Sequence, residues 1–148
     1  MTPVLRTARF AELTPFEVYA LCRLRVDVFV VEQECPYPEL DGRDVEPATR
    51  HLWFADDGEV LATIRVLDDG DTRAIGRVAT DAGARGRGLA ARVVQAGIDL
   101  CAGVPITMGA QAHLEDWYGR FGFRRSGEGY VEDGIPHVPM RREPAAVS

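Results

Sequence analysis

Apolar residues recur with two different periods along this chain, and polar punctuation marks where one period gives way to the other. Residues 3–9 alternate loosely and predict a first strand. Thr14-Pro15-Phe16-Glu17 then reads as a helix start, with Thr14 as N-cap, proline at the first helical position and Glu17 placed to close a capping box. That helix is predicted to run to about Val30, with Val18, Leu21, Cys22, Val28 and Phe29 at i, i+3, i+4 spacing on its buried face. Residues 32–44 carry two prolines, a glycine, five carboxylates and one arginine, the composition of a loop. Three β-rich segments follow at 51–55, 59–67 and 74–80, and the acidic turns Asp56-Asp57-Gly58 and 68–71 join them into an antiparallel meander.

After the third of these strands, the run Arg85-Gly86-Arg87-Gly88-Leu89-Ala90 opens a helix predicted over about 88–102, with Ala90, Val93, Val94, Gly97, Leu100 and Cys101 on one face. Residues 105–111 form a further strand, and a strand–helix–strand unit implies a right-handed crossover with parallel pairing. A short helix carries Leu114, Trp117, Tyr118 and Phe121 on one stripe and ends at Gly122. Residues 129–142 read as two strands around Asp133-Gly134. The fold class is therefore α/β (α+β), a mixed sheet flanked by helices.

Composition narrows what such a fold does. With 148 residues and no linker or repeat, residues 1–148 are expected to form one domain with a real core. A net charge of −6 argues against general nucleic-acid or anionic-membrane binding, and no apolar run is long enough to span a bilayer. The opening Met-Thr-Pro-Val-Leu-Arg has no apolar segment of secretory type, so a cytoplasmic location is expected. Cys22, Cys35 and Cys101 are odd in number, widely spaced and without zinc spacing, so free thiols and no metal are expected. All 17 basic residues are arginine; with no lysine there is no Schiff-base chemistry and no autoacetylation of internal lysines.

The chemistry concentrates at the glycine turn. Gly86 and Gly88 leave no side chains in the way of a ligand, and the free N–H groups of a first helical turn sit at the positive end of its dipole, an arrangement that suits phosphate. A tight turn with both glycines left-handed explains the same two residues without a ligand. Arg25 falls in the middle of an apolar helix face, where a guanidinium either pairs with a core carboxylate or lines a cleft. The acidic loop is either a solvated surface or the border of a site for a cationic amine.

Together the strand, turn, helix and tyrosine-bearing helix resemble the GNAT superfamily of acyl-CoA N-acyltransferases. Arg85-x-x-Gly88-x-Ala90 fits its [QR]-x-x-G-x-[GA] signature, and Tyr118-x-x-x-Gly122-Phe123 fits its later Y-x-x-x-G-F element. Three further blocks, at 24–37, 109–114 and 132–137, are similar to the ElaA-like branch. The resemblance implies a central sheet of six or seven strands in which two neighbours splay apart to admit acyl-CoA. It implies that Val78, Ala79 and Thr80 pair with the pantetheine arm, and that Arg85, Gly86, Arg87, Gly88, Leu89 and Ala90 wrap the pyrophosphate. Gln111 stands where many members have an asparagine on the pantetheine.

On this reading the reaction moves an acetyl group from acetyl-CoA to a primary amine, borne by a small molecule, a polyamine or a protein. The backbone N–H near Val78 is the implied oxyanion donor, a kind of contact worth ~3–4 kcal/mol where it has been removed elsewhere. Tyr118 is the implied general acid for the departing sulfur, since a phenol of pKa about 10 is protonated at neutral pH; a core tyrosine with a satisfied hydroxyl is the structural alternative. Glu32, His51, His113 and His137 are candidates for the base beside a water chain, and Arg25 with residues 32–44 is expected on the acceptor side. A homodimer is left open.

Three other readings meet the same residues. Gly86-x-Gly88-x-x-Ala91 satisfies a dinucleotide fingerprint, but residues 106–109 lack the carboxylate such a site needs. A non-catalytic CoA sensor would keep the fold and lose the chemistry. Arg25-x-x-x-Phe29 also resembles acyl-homoserine-lactone synthases, which share this fold.

Overall fold

The computed structural model describes residues 2–145. Its centre is an eight-stranded sheet in the order β1-β2-β3-β4-β5-β8-β6, with β7 also pairing β8. β1 (Val4–Ala8), β2 (Arg50–Asp56), β3 (Glu59–Asp68) and β4 (Arg73–Thr80) form the expected antiparallel meander. The turn after β2 has Asp57 and Gly58 both at positive φ, the conformation a two-residue hairpin turn requires. β3 is buried along residues 61–67, Thr63 and Arg65 included, because helices cover both of its faces.

α1 (Pro15–Val26) starts as its sequence dictates. Thr14 Oγ1 accepts from the Glu17 N–H at 3.1 Å, and Glu17 Oε1 accepts from the Thr14 N–H at 2.9 Å. The helix does not continue regularly to Val30. Residues Asp27–Glu32 widen into a π turn, with i+5 bonds from Gln33 N–H to the Val28 carbonyl and from Cys35 N–H to the Val30 carbonyl. Leu21, Leu24, Arg25 and Val28 form its buried face, while Val18 and Cys22 are half-buried.

α2 (Leu89–Leu100) packs on the other face of the sheet through Leu89, Val93, Val94, Gly97 and Ile98. Leu100, expected inside, is 50% exposed at the helix's last residue, and Ile98 takes its place. A Cβ on Gly97 would lie 2.5 Å from Ile64 Cδ1, so this glycine sets how closely α2 approaches β3.

β5 (Ile106–Gln111) pairs with β4 in parallel through only two register positions, Arg73 with Ile106 and Ala74 with Thr107. Beyond Ala74 the strands have no further pairing. α3 (Glu115–Gly119) follows β5 and ends before Gly122 at φ 91°, and β8 (Ile135–Arg142) then covers the far edge of β5. β7 (Tyr130–Glu132) forms a hairpin with β8 across Asp133-Gly134, both at positive φ. The eighth strand, β6 (Arg124–Arg125), exceeds the six or seven expected; two exposed arginines carry no apolar alternation by which to detect it.

Candidate active site

The separation of β4 from β5 opens a cleft of about 790 Å³. A bulge in β4 shapes one wall. Thr63 pairs Ala79 and Arg65 pairs Gly76, so Arg77 and Val78 together stand opposite the single Ile64. Arg77 takes φ 51°, and the extra residue leaves the ladder, which releases main-chain polar groups beside Val78. Ala79 and Thr80 continue along the same wall.

At the cleft mouth, Asp81 caps a short turn by accepting from the Gly83 N–H at 3.0 Å, and the chain then enters Arg85 to Ala90. Gly86 and Gly88 are left-handed, with φ 79° and 74°, and a Cβ on either would meet nothing within 4 Å. Conformation rather than packing requires these glycines, and the space above them is open to a ligand. The two sequence readings of this turn are therefore compatible. The cradle fits a pyrophosphate at the end of a narrow strand-like arm. Arg85 and Ala90 line the cleft. Arg87 is exposed and has no ion-pair partner among the described residues.

Arg85 holds both carboxylate oxygens of Glu32, at 2.7 and 2.8 Å, and also reaches the Thr80 carbonyl at 3.3 Å. Glu32, a candidate base, is thus an ion-pair partner across the mouth. Deeper in, Gln111 Nε2 donates to Gln33 Oε1 at 3.3 Å, joining β5 to the π turn.

Tyr118 is 5% exposed and lines the cleft. Trp117 and Phe123 meet its ring edge to face, with centroids 4.9 and 6.3 Å away. Its hydroxyl has no hydrogen-bond partner among the described residues, so the core-tyrosine alternative with a satisfied hydroxyl is not what the fold builds. Burial pushes the phenol up to about 12. It is a firmly protonated donor, further from thiol acidity than an ordinary tyrosine.

Two expected cleft residues are elsewhere. Arg25 is 3% exposed and does not line the cleft: Nε donates to Glu39 at 2.6 Å and Nη1 to Asp44 at 2.7 Å. His51 is also 3% exposed, with Nε2 3.0 Å from the Asp44 carbonyl, and burial pushes its pKa down. The acidic loop corrects a third expectation. Glu39 bonds Arg25, Arg77 (3.0 Å) and the Tyr37 hydroxyl; Asp41 bonds Arg65 at 2.6 Å; Asp44 bonds Arg25 and Arg65. Three of the loop's five carboxylates are thereby neutralised by core arginines, so the loop is neither a solvated surface nor a free anionic border.

His113 and His137 do line the cleft, as do Cys35 and Tyr37 from the loop expected on its acceptor side, and Tyr130 and Glu132, which the sequence had not singled out. Tyr130 is legible in retrospect, because a two-residue turn at Asp133-Gly134 places it opposite His137. Arg77 left only a faint signal, an arginine beside a glycine in an apolar strand. Cys22, Cys35 and Cys101 are free thiols. No cluster of three or more metal-ligating side chains occurs among the described residues, and no described helix is long and apolar enough to cross a membrane.

A splayed parallel pair, a glycine turn feeding a helix and a protonated tyrosine in the gap define an acyl-CoA acyltransferase type of site. Comparison with known proteins agrees. Residues 22–144 match the family described as acetyltransferase (GNAT) domain. A UPF0039 protein of Mycobacterium tuberculosis is 45% identical over 147 residues, covering 96% of this chain and 94% of that one. The crystal structure of an acyl-CoA N-acyltransferase from Pseudomonas aeruginosa superposes with a TM-score of 0.88 at 44% identity, covering 95% of this chain and 99% of that one. ElaA of Escherichia coli is 40% identical over 140 residues, 90% of this chain and 92% of ElaA; its crystal structure gives a TM-score of 0.90, covering 96% of this chain and all of that one. The chain belongs to the GNAT acetyltransferase family, on its ElaA-like branch. The family supports acyl-CoA-dependent N-acyl transfer with an amine acceptor.

Proposed function

We propose that this protein is a cytoplasmic N-acetyltransferase that uses acetyl-CoA and acts on a primary amine. The observation that carries the reading is the hydroxyl of Tyr118, protonated and unpartnered, in a cleft whose mouth is the open glycine turn. Acetyl-CoA supplies the activated acyl group as a thioester. Main-chain N–H groups from Gly86 to Ala90 hold the pyrophosphate, and Arg85 and Arg87 add charge-assisted bonds. Arg85 exchanges Glu32 for phosphate as it does so. Ala79 and Thr80 offer backbone to the pantetheine arm and Gln111 its side-chain amide. The Val78 N–H, beside the bulge in β4, is assigned to the developing oxyanion. Tyr118 Oη gives its proton to the departing sulfur.

Calorimetric titration with acetyl-CoA, wild type against Arg85→Glu/Arg87→Glu, tests the donor site. Micromolar binding that the double charge reversal abolishes is the expected result, and no wild-type binding overturns the reading. Thiol release over a panel of amines and polyamines tests the chemistry. Binding without turnover for any amine favours a CoA sensor, and turnover only with S-adenosylmethionine favours a lactone-synthase type of reaction.

A further inference from the structure

We infer that His137 is the general base of this acyl transfer, accepting a proton from the incoming ammonium through Nε2. The assignment rests on the acyl-transfer reading above and goes beyond it by choosing among the candidate bases on geometry.

His137 lies on β8 between Tyr130 of β7 and Gln111 of β5 in register, and its side chain is 12% exposed to the cleft. Its Nδ1 is 2.7 Å from the Ile135 carbonyl oxygen. A carbonyl only accepts, so Nδ1 carries the hydrogen, and the neutral ring then keeps its lone pair on Nε2. The ring is held in that orientation from its face. Tyr130 stacks on it with centroids 5.6 Å apart and planes 17° apart. The Tyr130 hydroxyl lies against the bare backbone of Gly109, where a Cβ would come within 2.3 Å of it.

Glu132 Oε2 stands 3.9 Å from Nε2. That is too long for a hydrogen bond, so the Nε2 lone pair has no partner among the described residues. Tyr130 and Glu132 of β7, Asp133 of the turn, Cys35 whose thiol donates to the Asp133 carbonyl at 3.3 Å, His113 after β5 and Tyr118 of α3 also border the cleft. The rival bases are poorly placed. Glu32 stands at the cleft mouth beside the glycine turn that takes the pyrophosphate, His51 is off the cleft, and His113 is exposed with no hydrogen bond to orient it among the described residues.

In the step itself, Nε2 takes one proton from the ammonium, and the neutral nitrogen forms the new C–N bond as the C–S bond breaks. Tyr118 Oη protonates the sulfur and is itself reprotonated by the nitrogen that has become an amide. The proton on His137 leaves to solvent, so one proton is released per turnover.

Two measurements test this. Imidazole ¹⁵N–¹H correlation spectra of the wild-type protein at neutral pH read the tautomer without any reaction: a proton on Nδ1 of His137 is expected, and a proton on Nε2 overturns the assignment. The second compares His137→Gln with wild type on ethylamine, which is cationic at pH 7, and on trifluoroethylamine, which is largely neutral. Transfer to ethylamine is expected to fall roughly 10²-fold or more, with transfer to trifluoroethylamine and acetyl-CoA affinity held. Equal loss on both amines, or no loss on ethylamine, overturns the base role. A wild-type protein that binds acetyl-CoA and transfers to neither amine overturns the acyl-transfer reading itself, a result distinguishable because it is seen before any substitution is made.

Discussion

Arg25→Met takes one charge out of a buried network of six. Arg25, Arg65 and Arg77 balance Glu39, Asp41 and Asp44, and Arg25 and Glu39 are each only 3% exposed at the side chain. Methionine matches the length of the stem, so the substitution removes charge and hydrogen bonds while keeping most of the packing. It leaves the group one negative charge in excess. Removing one partner from a buried ion pair costs ~3–5 kcal/mol. Here Arg77 still donates to Glu39 at 3.0 Å and Arg65 to Asp44 at 3.2 Å, which offsets part of that loss. The expected cost therefore sits at the lower end, about 3 kcal/mol, and for a chain of this size that lowers Tm by about 6–12 °C. Urea denaturation followed by tryptophan fluorescence reads it, because Trp53 is 3% exposed and reports on the core. Adding Glu39→Gln to Arg25→Met removes the excess charge while keeping an acceptor for Arg77, so the double variant should recover ~1–2 kcal/mol relative to additive losses. A loss below ~1 kcal/mol for Arg25→Met, or strictly additive losses in the pair, refutes the view that mutual charge balance holds residues 39–44 in place.

Acid stability follows from the same network. Arg65 holds the Asp41 carboxyl well below the usual range; burial alone would raise Asp44, and Arg25 and Arg65 together reverse that. A carboxylate depressed in the folded state contributes stability above its unfolded pKa of about 4 and loses it as pH falls toward the folded value. Stability should thus decline below about pH 4, and Arg65→Met should flatten that part of a Tm-against-pH curve. Tyr118→Phe should lower amine-dependent thiol release roughly 10²-fold while calorimetric acetyl-CoA affinity is kept. Because the hydroxyl has no protein partner to leave unsatisfied, its urea midpoint should correspond to a change within about 0.5 kcal/mol. Gly97→Val drives a side chain into Ile64 Cδ1 and should cost ~1–3 kcal/mol, whereas Gly119→Ala, with open space around its Cβ, should be neutral or stabilising in the same melt.

On the proposed reading, exchange of Glu32 for phosphate at Arg85 would link donor binding to the π turn of α1. The turn contributes Phe29, Glu32 and Gln33 to the cleft, and Gln33 also meets Gln111 on the opposite wall. Both sides of the cleft are thus tied at two depths by side chains that a bound pantetheine arm would contact.

Features governed by neighbours a few residues apart were legible in the amino-acid order alone. The capping box at Thr14 and Glu17, the Asp57-Gly58 and Asp133-Gly134 turns, the α2 stripe through Val93 and Val94, and the left-handed glycines at 86 and 88 each depend on local sterics and short-range hydrogen bonds. So did the motif that places the glycine turn before a helix and Tyr118 four residues before Gly122. Facts that depend on which segments face one another were not legible. Arg25 finds Glu39 and Asp44 at separations of 14 and 19 residues, and Arg77 finds Glu39 at 38, so an acidic loop that reads as solvated or substrate-facing is instead pinned inside. The β4 bulge exists only relative to Ile64 on its neighbour, and the cleft exists because β4 and β5 pair at two residues and no further. The His137 ring is oriented by a carbonyl two residues away, yet its place in the cleft depends on distant strands that pack around it. Periodicity and caps are short-range and written residue by residue; pairing register, charge partnership and cavities arise from long-range packing, which no local pattern encodes.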